Sequence, residues 1–584
     1  MADDQRTVDW GTHAAKAWFE ARAAGLRLRR GLHDLAGPPP HLKRGALDPD
    51  TVVLAESVTS LWNQSRGTER RLTAGKIQNL RLAARHLDGL VIPADAVFSF
   101  WRHVPRPTAG RGYAPGRELR EGCMTASIGG GLCQLSNALY DSAVRAGCRI
   151  VERHAHSHRV PNSLSEQDRD ATVFWNYVDL RFSPPVDLVV EARLTRDDLI
   201  VRLRVRETAP PPAAPAPVTP AAFFGAAAAD CLACAKTDCV NFIAEAAHHG
   251  RTAWLLDEVW PEFDAWMAAR RGEDDLVHLP LDGRRRGRRN YDWSAAGARP
   301  VEHWPVALRR AWRSRRLADQ GAARQRVLLD FDDRLAAAYA RRLPPDVERI
   351  VAPMSLLAGL HAAGALGGRR LTVLANRAPL SLLQEDLDRA AEAGPAHASL
   401  VDYRADPTRV AHERAALVQA DRIVTPHHDL AQRLGERFEA RVERLDWISP
   451  PTRPSEGGET ILFAGPSLAR RGVYEMRRAA ARLERPLRLT GRATEAAGFW
   501  SGLAVETAGA DPLADIACVA APAFVERRPG LLLRALGAGI PVVCTPACGL
   551  PPGPLVTLVE PGDAEGLAQA LGGVIARAGR SAPP

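Results

Sequence analysis

Apolar residues recur at helical spacing near the start of the chain. Between residues 13 and 35, Trp18, Phe19, Leu26 and Leu28 are set among Lys16, Arg22, Arg27, Arg29 and Arg30. That is the pattern of a basic amphipathic helix, ending near Gly37-Pro38-Pro39-Pro40. Such a helix either packs on its own protein or docks on an anionic membrane surface. Leu135–Ala146 repeats the helical spacing, whereas Arg149–His158 alternates with period two. A strand there places His154, His156 and His158 on one face. Past residue 220, short apolar runs alternate with helical stretches. The strands expected are Arg349–Ala352, Leu371–Leu374, Ser399–Asp402, Arg422–Thr425, Thr460–Ala464 and Pro541–Cys544. Sustained alternation of this kind argues α/β layers built on parallel sheets. No run approaches the ~18 consecutive apolar residues of a membrane-spanning helix.

Two breaks divide the pattern. Ala209–Pro220 reads APPPAAPAPVTP, a stiff proline-rich spacer, and Ser449-Pro450-Pro451-Thr452-Arg453-Pro454 splits the later half. At roughly 150 residues per domain, 584 residues suggest three or four domains. The boundaries expected are a helix and linker over 1–49, an α+β domain over 50–208 and the spacer at 209–220. A cysteine-rich segment at 221–254 and two α/β domains at 255–450 and 455–584 follow. The fold class is multidomain α+β and α/β.

Composition narrows the function classes. The chain is 46% apolar and 25% charged, as in globular protein. A net charge of +9 invites nucleic acid, but only Lys16, Lys43, Lys76 and Lys236 are lysines and acidic residues are interspersed nearly throughout. The run Arg284-Arg285-Arg286-Gly287-Arg288-Arg289 reads as a solvated loop, so no nucleic-acid partner is expected. Asp3, Asp4, Arg6, Asp9 and Lys16 interrupt the first thirty residues, and nine cysteines are too sparse for a disulfide scaffold. A cytoplasmic protein, peripheral at the inner membrane surface if the first helix docks there, is the expectation.

Chemistry is densest between Gly110 and Phe182. Ile128-Gly129-Gly130-Gly131-Leu132-Cys133-Gln134 runs into the helix at 135, which puts Cys133 in the first turn. There the dipole and unpaired amides favour a thiolate and can hold an oxyanion. His156 lies on the following strand, and Asp170 and Asp179 are two places from which a carboxylate can orient an imidazole. Cysteine on a helix, then histidine, then aspartate is the order of papain-like and transglutaminase-like acyl-transfer sites.

The blocks GRGYAPG (110–116), GGGLCQLSNALY (129–140), ERHAHS (152–157) and RDATVFWNYVDLRF (169–182) resemble the VanW family. The resemblance covers about a quarter of the chain. It marks Tyr113, Gly130, Gly131, Cys133, Gln134, His156, Asp170 and Asp179 as family-pattern positions and carries over no established reaction.

After the spacer, Cys231, Cys234 and Cys239 form C-x2-C-x4-C, which suits structural zinc, with His248 or His249 as a fourth ligand, or an iron–sulfur cluster. Three ordinary thiols are the alternative.

Residues 460–578 carry a further pattern. Ile461-Leu462-Phe463-Ala464-Gly465 is a strand ending in glycine, and Arg470-Arg471-Gly472 starts a helix. Glu526 precedes the helix at Leu531–Ala538. A glycine turn at a strand's carboxyl end, facing a helix N-terminus and arginines, suits a diphosphate. This stretch resembles the donor-binding domain of GT-B, group 1-type glycosyltransferases, with 255–450 as the acceptor-side domain. By that resemblance Gly465 and Arg471 would meet a nucleotide-sugar diphosphate, and Glu526 would orient the donor. Arg534 and Pro466 depart from the family pattern, at the second glutamate and a companion arginine. The leading expectation is glycosyl transfer from a nucleotide sugar to an envelope glycan or lipid-linked acceptor. The alternatives are a Cys133–His156 hydrolase or acyltransferase acting on an envelope peptide or amide, or a non-catalytic binder of envelope precursors.

Overall fold

The structure is a computed structural model. It describes residues 13–45, 51–62, 67–120, 123–156, 164, 168–206, 250–297, 299–317, 321–392, 397–401, 404–455, 457–491 and 495–580. The spacer and Cys231, Cys234 and Cys239 lie outside these residues. Two compact units form: Met1–Gly250 with Pro344–Glu348 and Leu366–Arg369, and Arg251–Leu343 with Arg349–Ala365 and Arg370–Pro584. Among the described residues no helix is long and apolar enough to cross a membrane.

The first unit is α+β. It begins with α1 (His13–Ala36). Strands β1 (Thr51–Ser60), β2 (Leu90–Ile92), β8 (Leu188–Leu194) and β9 (Asp198–Arg206) make an antiparallel sheet in the order β1-β9-β8-β2. Strands β3 (Phe98–Ser99), β6 (Arg149–Glu152) and β7 (Arg181–Ser183) make a second sheet, in the order β3-β7-β6, and β4 (Pro115–Arg120) and β5 (Cys123–Ile128) a hairpin. Two helices, α2 (Gly67–Leu87) and α3 (Cys133–Arg145), bury one apolar side each in the core these sheets enclose. On α3 that side is Leu135, Ala138 and Leu139, spaced three and four apart and fully buried.

The second unit holds two sheets. One comprises β10 (Arg251–Leu255), β11 (Leu276–Leu279), β12 (Val301–Glu302), β13 (Val347–Pro353), β14 (Arg370–Leu374), β15 (Ala420–Thr425) and β16 (Arg441–Arg444). Its order is β12-β11-β10-β13-β14-β15-β16. The other comprises β17 (Thr460–Phe463), β18 (Leu487–Leu489), β19 (Val505–Thr507), β20 (Ile516–Ala521), β21 (Val542–Cys544) and β22 (Val556–Leu558), all in parallel pairs. Its order is β19-β18-β17-β20-β21-β22. Each sheet runs outward from its first strand, then reverses to the other side, which is the doubly wound Rossmann order. Central strands of such sheets are covered on both faces. In keeping with that, all six residues of β20 are buried. This half thus holds two Rossmann-like domains in tandem.

Two expected strands differ. The period-two run from Arg149 leaves the sheet after Glu152, because its partner β7 is only three residues long. Beyond Glu152 the backbone bonds elsewhere: the amide of Thr172 donates to the carbonyl of His154 at 2.6 Å, and that of His156 to Asp170 Oδ2 at 2.7 Å. His154 and His156 therefore do not lie on a strand face, and His158 lies outside the described residues. Of the run Ser399–Asp402, the described residues Ser399–Val401 belong to a short helix, Ala398–Val401, and not to a strand.

Candidate functional site

The glycine turn ahead of Cys133 is fixed by α2. Asn79, fully buried, accepts a hydrogen bond from the amide of Ala114 at 2.8 Å. It donates to the carbonyls of Ala114 and Gly130 at 3.0 and 2.9 Å. One side chain thus ties the GRGYAPG block to the GGGLC block. Gly131 has φ +92°, and a Cβ there would lie 2.1 Å from Cγ of Lys76. Lys76 is itself buried and donates to the carbonyl of Leu61 at 3.0 Å. Burial, helped by the nearby Arg117 charge, lowers its ammonium to about 7. Gln134 turns away from the cysteine and donates to Thr59 Oγ1 and the carbonyl of Ser60 at 3.0 and 2.8 Å. Tyr113 lies in the core.

Cys133 opens α3, half-buried, with its sulfur 3.9 Å from the carbonyl oxygen of Val173. The segment that carries Asp170 is pinned to the same helix. Ser136 Oγ donates to the carbonyl of Ala171 at 2.5 Å, and the amide of Ala171 donates to Asn137 Oδ1 at 2.7 Å. Asp170 is completely buried. Its Oδ2 accepts from His156 Nδ1 at 2.6 Å, and its Oδ1 from Arg153 Nη2 at 2.9 Å. The Cys133 sulfur lies close enough to the same imidazole to favour its charged form. With Nδ1 on Asp170, the remaining ring nitrogen, Nε2, is the one left for sulfur.

The electrostatics follow from these contacts. Burial works against a charged ring, but the hydrogen bond to Asp170 and the nearby Cys133 and Asp170 side chains outweigh it and push His156 up to about 10. Burial likewise opposes ionisation of Asp170, yet the His156 ring and amide hold its carboxyl below the usual range. Burial pushes the thiols of Cys148 and Cys518 up to about 12.

Asp179 has other partners. Its carboxylate accepts from Ser99 Oγ at 2.6 Å, Arg181 Nε at 2.9 Å and the amide of Trp101 at 3.2 Å. It braces β3 against β7 and does not meet His156. His154 pairs with Glu152 at 3.1 Å, and His158 lies outside the described residues. Among the described residues no group of three or more His, Cys, Asp or Glu side chains could hold a metal ion.

In the second unit, Gly465, Arg471 and Glu526 come together at the carboxyl end of β17. Gly465 has φ +119°, and a Cβ there would lie 2.9 Å from Arg471 Nε. Arg471 Nη2 pairs with Glu526 at 2.6 Å, and Nη1 donates to the carbonyl of Val525 at 3.0 Å. Pro466 follows Gly465 and crowds Gly491. A cavity of about 610 Å³ lies between Ser449–Pro451 and the start of α4 (Gly530–Gly537), lined in part by Arg528, Leu531 and Arg534 and by none of Gly465, Arg471 and Glu526.

Arg153, Asn79 and Lys76 were not legible as site residues. Each acts through a partner that no local motif announces.

Residues 75–204 match the family described as VanW like protein. The vancomycin B-type resistance protein VanW of Enterococcus faecalis is 32% identical over 149 residues, which is 25% of this chain and 54% of that protein. The uncharacterized protein YoaR of Bacillus subtilis is 32% identical over 127 residues, 21% of this chain and 41% of that protein. The chain thus spans about half the length of these curated relatives, or less. Solved structures overlap the later half. Anabaena HepE, in complex with UDP and glucose, is 16% identical with a TM-score of 0.34, covering 56% of this chain and 90% of that one. A UDP-forming trehalose-phosphate synthase from Burkholderia vietnamiensis is 12% identical with a TM-score of 0.32, covering 57% and 92%.

Proposed function

We propose that the VanW-like domain is a thiol-dependent acyltransferase or hydrolase acting on a peptide or amide of the cell envelope. The single observation that carries this reading is buried Asp170 holding His156 by Nδ1, with the Cys133 sulfur close to the same ring. Raised to about 10, His156 is charged near neutral pH, and the sulfur beside it attacks the substrate carbonyl carbon as a thiolate. The C–N bond then breaks and His156 hands its proton to the leaving nitrogen. Water or an amine attacks the thioester and loses its proton to His156, and the thiolate leaves to restore the pair. Asp170 holds the ring by Nδ1 and stabilises it when charged. Its own position is held by Arg153. We assign the oxyanion to the amide of Cys133, which precedes the first α3 donor bonded to a carbonyl, the amide of Gln134 on Gly131 at 3.1 Å.

Selective alkylation tests whether this thiol is activated. Iodoacetamide on the native protein is expected to label Cys133 well before Cys148 or Cys518, which are buried with raised thiols. Labelling of those two ahead of Cys133, mapped by peptide mass, would count against an activated site.

A second reading concerns the later half, as a glycosyl transferase using a nucleotide sugar. It is supported by the meeting of Gly465, Arg471 and Glu526 at the carboxyl end of a Rossmann strand. A donor diphosphate would take the Arg471 guanidinium from Glu526 and free that carboxylate for sugar or ribose hydroxyls. Envelope glycan or a lipid-linked sugar is the acceptor class. UDP-, GDP-, ADP- and CMP-sugars are the probes. A donor at ~100 times its dissociation constant adds about 2.7 kcal/mol, a readable thermal shift. One donor is expected to shift the wild type and to lose that shift in Glu526→Ala. No shift with any of the four sinks this reading.

A further inference from the structure

α1 is attached to the first unit by its polar side. Of its described side chains, only Ala23, Arg27, Arg30 and Asp34 are not exposed, spaced four, three and four apart. Arg27 Nε donates to the carbonyl of Trp175 at 3.0 Å. Arg30 forms a two-pronged pair with Glu152, with Nη1 at 2.8 Å, and Asp34 accepts from Arg181 Nη2 at 3.0 Å. The opposite side is apolar and faces out: Trp18 is 70% exposed, Leu28 67%, Leu32 62% and Leu35 80%. At 100° per residue these four fall within one stripe, bordered by the exposed Arg22 and Arg29. A surface helix ordinarily buries its apolar stripe and offers its charges to water. Here the arrangement is inverted, and the inverted face is cationic at its margin. Asp34, the one acid among the described side chains of α1, is turned inward onto Arg181.

We propose that the outer stripe of α1 inserts into the surface of an anionic lipid bilayer, with Trp18, Leu28, Leu32 and Leu35 at the acyl boundary and Arg22 and Arg29 among the headgroups. Apolar area together with basic flanks is what interfacial helices use, and neither alone holds a protein on a membrane firmly. A second copy of the chain fits the face less well, because a two-fold pairing would bring two Arg22–Arg29 margins together. The ion pairs beneath α1 set its orientation, so the stripe is presented without rearrangement.

Flotation of the full chain tests this, using vesicles of phosphatidylglycerol mixed with phosphatidylcholine against phosphatidylcholine alone. At least a roughly tenfold preference for the anionic vesicles is expected, falling at high salt. The double variant Leu28→Glu/Leu32→Glu should lose flotation while its thermal unfolding is unchanged, since both side chains are exposed. Arg22→Glu/Arg29→Glu should lose the preference for anionic lipid. Equal recovery on both vesicle types, no recovery on the anionic ones, or flotation that survives the double leucine variant would overturn the proposal. So would a wild-type dimer by light scattering that the leucine variant converts to monomer, because the stripe would then be a contact between copies.

Discussion

Replacing Cys133 with alanine is expected to remove acyl transfer by roughly 10³–10⁶-fold, the range seen when a covalent nucleophile is deleted from an assembled site. The protein should fold as before. Cys133 is half-buried at the start of α3, and the helix is anchored elsewhere, by Leu135, Ala138 and Leu139 in the core and by Gln134 on the end of β1. Small losses of this kind cost about 1 kcal/mol or less. The contrast between a large kinetic loss and an unchanged unfolding temperature is what separates a nucleophile from a packing residue. Activity measured on an activated ester or a short amide, with melting curves alongside, reads both. Turnover within tenfold of wild type would leave Cys133 as a structural thiol.

Asp170→Asn is expected to cost roughly 10²–10⁴-fold in the same assay, because the ring loses its orientation and its charge partner. The pH behaviour makes this specific. His156 is raised in the folded protein from 6.5 to about 10. Its contribution to stability is therefore complete below pH 6.5, and is lost as pH rises through about 10. Asp170 is depressed, so its contribution is present above its ordinary value of 3.8 and is lost as pH falls through the lower folded value. The Asn variant should flatten the alkaline limb of the stability profile and move the alkaline limb of activity down. It should also lose about 3–5 kcal/mol, the usual result of breaking a buried pair, since Arg153 and His156 both lean on this carboxylate. Asp179→Asn is the control. It should destabilise by unpairing Arg181 and Ser99, while the molecules that remain folded keep the wild-type pH dependence of turnover. If the two variants exchange these behaviours, the assignment of Asp170 is wrong.

The parts of this site that could be read from sequence are those determined locally. A glycine run followed by apolar residues at helical spacing fixed Cys133 at the start of a helix, because turn and helix signals are short-range. The choice between Asp170 and Asp179 was not legible. Both sit near strand-like segments, and only the bonds from Ser136 and Asn137 to Ala171 bring the first beside His156. Alternation predicted a strand from Arg149 to His158, but period two says nothing about where a partner strand stops, and β7 stops after three residues. Ser399–Asp402 misled for a related reason: a four-residue apolar run fits a strand and a helical turn equally. The doubly wound halves were legible from strand–helix alternation. For α1 the periodicity gave the helix but not its orientation, because an outward apolar stripe and a core-facing one have the same spacing.

The central claim is that Cys133, His156 and Asp170 act as one acyl-transfer centre. The most direct measurement is peptide-mapped mass spectrometry after brief exposure of the native protein to an activated acyl ester, with Cys133→Ala as the blank. The account predicts a single acyl group on Cys133, formed in wild type, slowed in Asp170→Asn and missing from the blank. An acyl group spread over other residues, or wild type and Asp170→Asn acylated at the same rate, would contradict it.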